Sequence, residues 1–250
     1  MDSRHGRRAV PVAVATVCAG LTALLTFGAA TRGEVDATSA PVYTVEAKPD
    51  APRPLELPAH PRVLIMGDSY TEGWGADPES RGFSYQIAQP LGWRLTRDGI
   101  GSTGFVDAGL QDQGNYPTRL SRHPRDAYDL VILQGGTNDE KLSTAEISAG
   151  LDRSVEVVRE RYPSAQLVVM GPVAPYGTPS ADRAKLNLAL VDYTHARSIP
   201  YINAVAEHWF QIGEWRTLVD ERKGHPNNDG YVRVAEHVVQ DMRDLTAPAP

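Results

Sequence analysis

Three short apolar runs, each followed within two residues by glycine, constrain the fold of this chain more than any other feature. They occupy residues 63–66, 130–133 and 167–170 and consist of valine, leucine, isoleucine and methionine. Continuous apolar runs of this length, without alternating polar residues, are typical of strands that are covered on both faces of a sheet. The runs therefore predict a buried sheet whose strands end in glycine-containing loops.

Helical segments separate these runs along the chain. Further strands are expected at residues 93–95 and 201–202, and helices at residues 83–91, 143–162, 182–197 and 229–245. Strands that alternate with helices predict a parallel sheet with helices on both faces, so we assign the chain to the α/β class. Ligands bind outside the carboxyl ends of the strands in such sheets, and we expect the functional residues there.

The first 31 residues have the layout of an export signal or of a membrane anchor. No charged residue occurs from residue 9 to residue 31, and Arg4, Arg7 and Arg8 stand just before this stretch. Its length is compatible both with a cleaved signal and with a retained anchor. We therefore expect the protein to be exported, and either secreted or attached to the outer face of the cytoplasmic membrane through residues 9–31.

The segment that follows is rich in proline. Six prolines fall within residues 32–61, where no hydrophobic period is present. Such a composition indicates an extended linker. The sequence thus predicts three regions, which are the leader at residues 1–31, the linker at residues 32–61 and one folded domain at residues 62–246.

Charge and cysteine content exclude several classes of function. The chain has a formal net charge of −6 and no basic cluster beyond its first eight residues, so it lacks the positive surface that a nucleic-acid binder needs. Cys18 is the only cysteine, which excludes an intrachain disulfide and a Cys/His zinc site. We expect no nucleic-acid partner, no metal and no cofactor.

Ser69 is the candidate nucleophile. It follows the first apolar run in a Gly-Asp-Ser turn, where a strand gives way to a helix. A serine hydroxyl needs a base that accepts its proton, and the oxyanion that forms needs hydrogen-bond donors fixed in place. His225, in the loop before the last helix, is the candidate base. The backbone N–H groups of Ser69 and Gly101 and the side-chain amide of Asn138 are the candidate donors.

Three residues near these candidates are assigned other roles. Asp68 precedes the nucleophile in a tight turn, and a carboxylate there is expected to accept backbone N–H groups as a cap. Trp74 is a candidate for lining the acyl pocket, and Tyr176 for bordering the crevice on its opposite side.

Four blocks of this sequence resemble those of the SGNH hydrolases, also called GDSL hydrolases. The blocks are GDSYTEG at residues 67–73, Gly101, GTND at residues 136–139 and HPN at residues 225–227. Together they span nearly the whole predicted domain. The resemblance implies a flavodoxin-like, three-layer α/β/α fold and an esterase, lipase or acyltransferase activity.

The resemblance also implies a role for each matching residue. Ser69 takes the place of the nucleophile and of the first oxyanion donor. Gly101 and Asn138 complete the oxyanion hole, and His225 is the base. These are the residues that the chemistry of the chain had already singled out.

One position departs from the family pattern. The family usually has an aspartate three residues before the catalytic histidine, and Arg222 stands there in this chain. A two-residue expansion of the loop would allow Asp220, rather than its neighbour Glu221, to reach Nδ1 of His225. A backbone carbonyl near Arg222 or Lys223 is the alternative, and it would leave a serine–histidine dyad. The sequence favours Asp220, because a carboxylate is the commoner orienting group.

These features predict an exported serine esterase without a cofactor. The domain shows no lid insertion, so we expect short acyl groups, such as O-acetyl groups on glycans, or small lipid esters. An O-acyltransferase of the same fold is one alternative. The other is an inactive SGNH-like module that binds glycan, because Arg222 replaces the expected acid.

Overall fold

Five parallel strands form the central sheet in the computed structural model, which describes residues 53–247. In chain order they are β1 (Arg62–Gly67), β2 (Arg94–Gly99), β3 (Leu130–Gln134), β4 (Gln166–Met170) and β5 (Tyr201–Ile202). Their spatial order is β2-β1-β3-β4-β5, and every neighbouring pair is parallel. This is the strand order of a flavodoxin-like sheet, and the predicted α/β class is confirmed.

Helices cover both faces of the sheet. They are α1 (Ser69–Glu72), α2 (Phe83–Gln86), α3 (Ala88–Leu91), α4 (Tyr116–Leu120), α5 (Thr144–Arg161), α6 (Ala181–Ala196), α7 (Trp215–Leu218) and α8 (Asn228–Thr246). Side chains alternate along a strand, so Val63 and Ile65 of β1 pack into a core with α2 and α8. Leu64 and Met66 point the other way, into a core with α4, α5 and α6. The expected three-layer α/β/α arrangement follows.

Side chains mark where the long helices begin. Ser143 and Glu146 form a capping box at the start of α5, in which the Ser143 N–H donates to the glutamate carboxylate at 2.9 Å. Asn227 caps α8 by accepting from the N–H groups of Asp229 and Gly230. Because Asn227 stands two residues after His225, this cap also fixes where the chain enters the last helix.

Strand β2 extends beyond the predicted strand at residues 93–95 and ends at Gly99. Its sequence, RLTRDG, is mostly polar because β2 forms one edge of the sheet, where polar side chains are tolerated. The hydrophobic pattern therefore ends before the strand does. The helix predicted at residues 83–91 is present as two short helices that meet at Ile87.

An antiparallel hairpin carries His225 and left no pattern in the sequence. Its strands are β6 (Val219–Asp220) and β7 (His225–Pro226), with Asp220 paired opposite His225. Each of these strands has only two residues, one of them polar, so neither shows the apolar pair that marks β5. The short helices α4 and α7 escaped prediction because they span too few residues to show a helical period.

The last part of the predicted linker contacts the folded domain. The predicted leader at residues 1–31 and the first part of the predicted linker, residues 32–52, lie outside the described residues. Residues 53–61 pack against the domain, because Leu55 is buried and its N–H donates to the Leu245 carbonyl oxygen at 2.7 Å. Among the helices of residues 53–247, none has the length and apolar composition needed to cross a membrane.

Candidate active site

Ser69 and His225 meet at the carboxyl edge of the sheet. Ser69 opens α1 directly after β1, and its Oγ lies 2.7 Å from Nε2 of His225. The turn after α1 passes so close to the histidine that a Cβ added at Gly75 would lie 2.8 Å from the His225 Cβ. Gly75 also has a φ of 110°, which side-chain-bearing residues rarely adopt. The nucleophile candidate and the base candidate are therefore in hydrogen-bond contact.

Asp68 caps the helix that begins at Ser69. It is fully buried, and its Oδ1 accepts from the Tyr70 N–H at 2.9 Å. Burial raises the pKa of Asp68 to about 6, against the lowering effect of that N–H. The contact is the structural one expected for this carboxylate.

A backbone carbonyl holds the imidazole of His225. Nδ1 lies 2.7 Å from the carbonyl oxygen of Lys223. A carbonyl oxygen only accepts hydrogen bonds, so Nδ1 carries the proton and Nε2 is left free to accept from the Ser69 hydroxyl. This is the tautomer that a general base needs.

Asp220 does not hold the ring, which corrects the expectation drawn from the sequence. Its Oδ1 accepts from the Arg222 N–H at 3.0 Å. Its own carbonyl oxygen accepts from the N–H groups of Lys223 and Gly224 at 3.1 and 2.8 Å. Asp220 therefore shapes the turn between β6 and β7. This tight turn folds the chain back so that the carbonyl oxygen of Lys223, two residues before His225, lies within hydrogen-bond distance of Nδ1.

The surroundings of His225 favour its neutral form. Burial lowers the pKa of His225, and the nearby cations Arg183 and Lys223 lower it further. The hydrogen bond to the Lys223 carbonyl opposes this shift without reversing it. The imidazole is thus uncharged, and able to accept a proton, at neutral pH.

The candidate oxyanion donors share one cleft with the nucleophile. Ser69, Gly101 and Asn138 all line it. The Asn138 side-chain amide donates one N–H to the Thr103 carbonyl oxygen at 2.8 Å, which leaves its second N–H for the cleft. A Cβ added at Gly101 would lie 3.7 Å from the Cβ of Ser69, so the Gly101 backbone passes beside the nucleophile.

The Gly101 N–H already has a partner. It donates to Oε2 of Glu72, the last residue of α1, at 3.0 Å. Burial raises the pKa of Glu72, as does the neighbouring charge of Glu79. Glu72 also lines the cleft. Glu72 belongs to the GDSYTEG block at residues 67–73. Membership of that block is the only sign in the sequence of a place near the site, and no role for Glu72 was predicted.

Asp139 ties the loop after Gly101 to the turn that carries Asn138. It is buried, and its carboxylate accepts from three consecutive backbone N–H groups, those of Phe105, Val106 and Asp107, at 2.7, 3.2 and 2.9 Å. Three donors on one carboxylate fix the loop to the GTND turn at residues 136–139. In the sequence Asp139 is recognisable only as part of that motif, and its contacts with the loop depend on the tertiary structure.

The cleft above Ser69 has a volume of about 400 Å³ and is open to solvent. Its lining residues are Ser69, Glu72, Trp74, Ile100, Gly101, Ser102, Leu110, Gln111, Gln113, Asn138 and His225. Trp74 borders the cleft as expected, whereas Tyr176 lies outside this lining and packs near Trp215 with ring centroids 6.0 Å apart. No cluster of three or more metal-ligating side chains is found within residues 53–247.

Sequence comparisons relate the chain to known acylhydrolases. A family model described as the GDSL-like lipase/acylhydrolase family matches residues 65–233. The chain is also similar to the GDSL lipase Rv0518 of Mycobacterium tuberculosis, with 26% identity over 202 residues, covering 76% of this chain and 85% of that protein.

Solved structures share the fold. Est24, a carbohydrate acetylesterase from Sinorhizobium meliloti, superposes with a TM-score of 0.56 at 17% identity, covering 74% of this chain and 99% of that one. The aryl esterase of M. smegmatis superposes with a TM-score of 0.56 at 18% identity, again covering 74% and 99%. At such identities the likeness concerns the fold.

Proposed function

The chain belongs to the GDSL-like lipase/acylhydrolase family and is a carboxylic-ester hydrolase, and we propose that it removes short acyl groups outside the cytoplasm through a Ser69–His225 dyad. One observation carries the proposal. Ser69 Oγ lies 2.7 Å from a neutral imidazole nitrogen, at the floor of a cleft that the oxyanion donors also line.

The reaction follows the two stages of covalent acyl transfer. Nε2 of His225 accepts the proton of the Ser69 hydroxyl while Oγ attacks the ester carbonyl carbon. The oxyanion accepts hydrogen bonds from the Ser69 and Gly101 N–H groups and from the amide of Asn138. The imidazolium then gives its proton to the leaving alcohol, and an acyl-serine remains. Water attacks that ester with His225 again as base, which releases the carboxylic acid and restores Ser69.

The Lys223 carbonyl takes the place of the acid of a triad. It keeps the proton on Nδ1, and thereby aims Nε2 at Ser69. A carbonyl bears no net charge, so it stabilises the imidazolium less than a carboxylate would. The Lys223 carbonyl thus assists catalysis mainly by orienting the imidazole, and less by stabilising its charged form.

The cleft supports a small acyl group and a polar alcohol. Its volume of about 400 Å³ holds a short acyl chain, and it opens to solvent, where a larger alcohol can project. Trp74 is 42% exposed at the cleft edge, and the Lys223 ammonium lies 4.9 Å from the centre of its ring. An exposed indole beside a cation offers a flat face and a hydrogen-bond donor to a sugar ring. Est24, named as a carbohydrate acetylesterase, gives this substrate class further support.

The place of action is proposed from the leader. Residues 9–31 are uncharged and follow three arginines, as export signals and anchors do. Fusing residues 1–61 to a reporter enzyme that is active only outside the cytoplasm tests this. We expect reporter activity that deletion of residues 9–31 abolishes, and equal activity after the deletion would contradict export.

An ester screen tests the activity. We expect hydrolysis of p-nitrophenyl acetate to exceed that of the butyrate, and the octanoate to be slowest, with release of acetate from an O-acetylated glycan. Ser69→Ala is the control, and it should lose both this turnover and labelling by a fluorophosphonate probe. Full turnover in Ser69→Ala would refute the mechanism. Adding an alcohol acceptor separates hydrolysis from acyl transfer, because a transferase would form a new ester in place of free acid.

A further inference from the structure

A carboxylate occupies one of the three oxyanion donors. Gly101 N–H donates to Glu72 Oε2 at 3.0 Å, and a Cβ added at Gly101 would lie 2.9 Å from the same oxygen. Apart from the Gly101 N–H, no hydrogen-bond partner of this carboxylate is found among residues 53–247. The oxygen therefore sits where the oxyanion of the reaction would accept its hydrogen bond.

Two negative charges cannot share this place without cost. The carboxylate of Glu72 and the oxyanion formed on Ser69 would compete for one N–H, and they would repel each other across a partly desolvated cleft. A donor that helps only in the transition state accelerates the reaction, whereas a donor already bound to an anion must first be released.

We propose that Glu72 occupies the Gly101 donor in the resting enzyme and is displaced by the ester oxygen, so that its carboxylate restrains the hydrolysis. This inference rests on the proposed function, since it takes Ser69 as nucleophile and Gly101 as oxyanion donor. It adds to that function a residue of the cleft whose charge sets the strength of the oxyanion hole.

The surroundings of Glu72 allow the displacement. Its side chain is only partly buried and borders the open cleft, so the carboxylate can turn towards solvent. Its backbone, in contrast, is fixed, because a Cβ added at Gly99 would lie 2.3 Å from the Glu72 nitrogen. Displacement therefore needs a side-chain rotation and no movement of α1.

Two charged groups and one titratable group, from three elements, surround this carboxylate. Glu79 lies in the 3-10 turn Glu79–Arg81 and repels it, whereas the buried Arg119 of α4 attracts it. His225 of β7 shares the cleft and is neutral in the active form. Protonation of Glu72 would remove its charge and weaken its hold on the Gly101 N–H.

Glu72→Gln tests the proposal, because the amide keeps the shape and the acceptor and loses the charge. We expect kcat/KM on p-nitrophenyl acetate to rise roughly tenfold at pH 7.5. The inhibition constant of a phenylboronic acid, whose tetrahedral anion mimics the oxyanion, should fall by a similar factor. Glu79→Gln is the matched control, since it removes a nearby charge that does not contact Gly101, and we expect a change of less than about twofold.

The pH dependence separates this role from a structural one. The ratio of kcat/KM between Glu72→Gln and wild type should approach one as the pH is lowered, because protonated Glu72 is neutral like glutamine. A residue that only braces the Gly101 loop would give a pH-independent ratio at or below one, and that result overturns the proposal. Glu72→Ala, which removes the acceptor as well, replaces the glutamine variant if the latter does not fold.

Ser69→Ala, assayed in parallel, keeps the two conclusions apart. If Ser69→Ala retains turnover, the proposed function fails. If Ser69→Ala is inactive and a folded Glu72→Gln shows no rise, the dyad stands and the restraint by Glu72 is refuted.

Discussion

The carbonyl oxygen of Lys223 lies 2.7 Å from Nδ1 of His225, on the side of the ring that faces away from Ser69. The group that orients the base is therefore part of the main chain. Its position depends on the turn between β6 and β7, which Asp220 closes with its side chain and its carbonyl oxygen.

Replacing Asp220 should affect stability more than catalysis. Asp220→Ala removes the acceptor of the Arg222 N–H, and we expect unfolding to become easier by about 1 kcal/mol. Turnover should fall by less than about threefold, because the Lys223 carbonyl remains. Urea unfolding and p-nitrophenyl acetate kinetics measure both. Asp220→Asn keeps a hydrogen-bond acceptor and is the control. A loss of turnover of ~10²-fold or more in that variant would indicate a carboxylate triad instead.

Asn138→Ala should lower kcat by ~10²-fold to ~10³-fold, as expected for the loss of one oxyanion donor. KM should change little, since the bond is formed mainly in the transition state. Steady-state kinetics on p-nitrophenyl acetate separates the two constants. Replacing Gln113, which lines the same cleft without an assigned role, is the matched control, and an equal loss in Gln113→Ala would argue against a specific role for Asn138.

Asp139→Ala should weaken both the fold and the reaction. It leaves three backbone N–H groups of the loop after Gly101 without their acceptor. We expect a loss of about 2–4 kcal/mol in the free energy of unfolding, and a lower kcat because the loop that carries Gly101 loosens. Thermal melting and kinetics below the melting range test this. Normal stability in Asp139→Ala would show that the loop finds other acceptors.

The pH profile should place the acid limb of kcat/KM below pH 6.5. Burial lowers the pKa of His225 from 6.5, and catalysis needs its neutral form, so activity rises with pH through that lowered value. Lys223→Gln keeps the carbonyl and removes a cation that lowers the same pKa, so its limb should move to higher pH. A limb centred above 6.5 in wild type would contradict the assignment.

The same shift affects stability. The unfolded chain binds a proton at His225 more readily than the folded protein does, because the pKa is lower in the fold. This contribution to stability is present above pH 6.5 and is lost as the pH falls below it.

Asp68→Asn should stabilise the protein at pH 7. Burial raises the pKa of Asp68 from 3.8 to about 6, so the folded state disfavours the charge, and the penalty grows as the pH rises from 3.8 to about 6. Asparagine keeps the cap on the Tyr70 N–H without the charge. We expect a gain of about 1–3 kcal/mol at pH 7 and little at pH 4, measured by urea unfolding. A loss of stability at pH 7 would mean that the carboxylate has an ionic partner.

A helix or strand could be predicted where its sequence carries an apolar run, a hydrophobic period or a capping residue. The run at residues 130–133 becomes the fully buried strand β3, and the Ser143–Glu146 capping box begins α5 as expected. The edge strand β2 and the two-residue strands of the hairpin could not be delimited, because polar composition and brevity remove the hydrophobic period.

The side chains that meet at the site were predictable, whereas a backbone carbonyl near Lys223 was expected only as the alternative to Asp220. The sequence pointed to Ser69 and His225, and the structure brings them within 2.7 Å of each other. Every residue has a carbonyl, so nothing in the sequence marks that of Lys223 as the acceptor for Nδ1. The contact between Glu72 and Gly101 depends on how α1 packs against the end of β2, which tertiary structure alone decides.

Because a backbone carbonyl orients His225, no single side-chain substitution can remove the orienting group. Any amino acid at position 223 supplies the same carbonyl, so the orientation of the base does not depend on the lysine side chain, which acts instead on the pKa of His225 and beside Trp74. A survey that demands an aspartate three residues before the histidine would overlook this arrangement. The number of residues between Asp220 and His225 is not free, because inserting a single residue would carry the carbonyl away from Nδ1. Loop length therefore takes over from an acidic side chain the task of keeping the base in place.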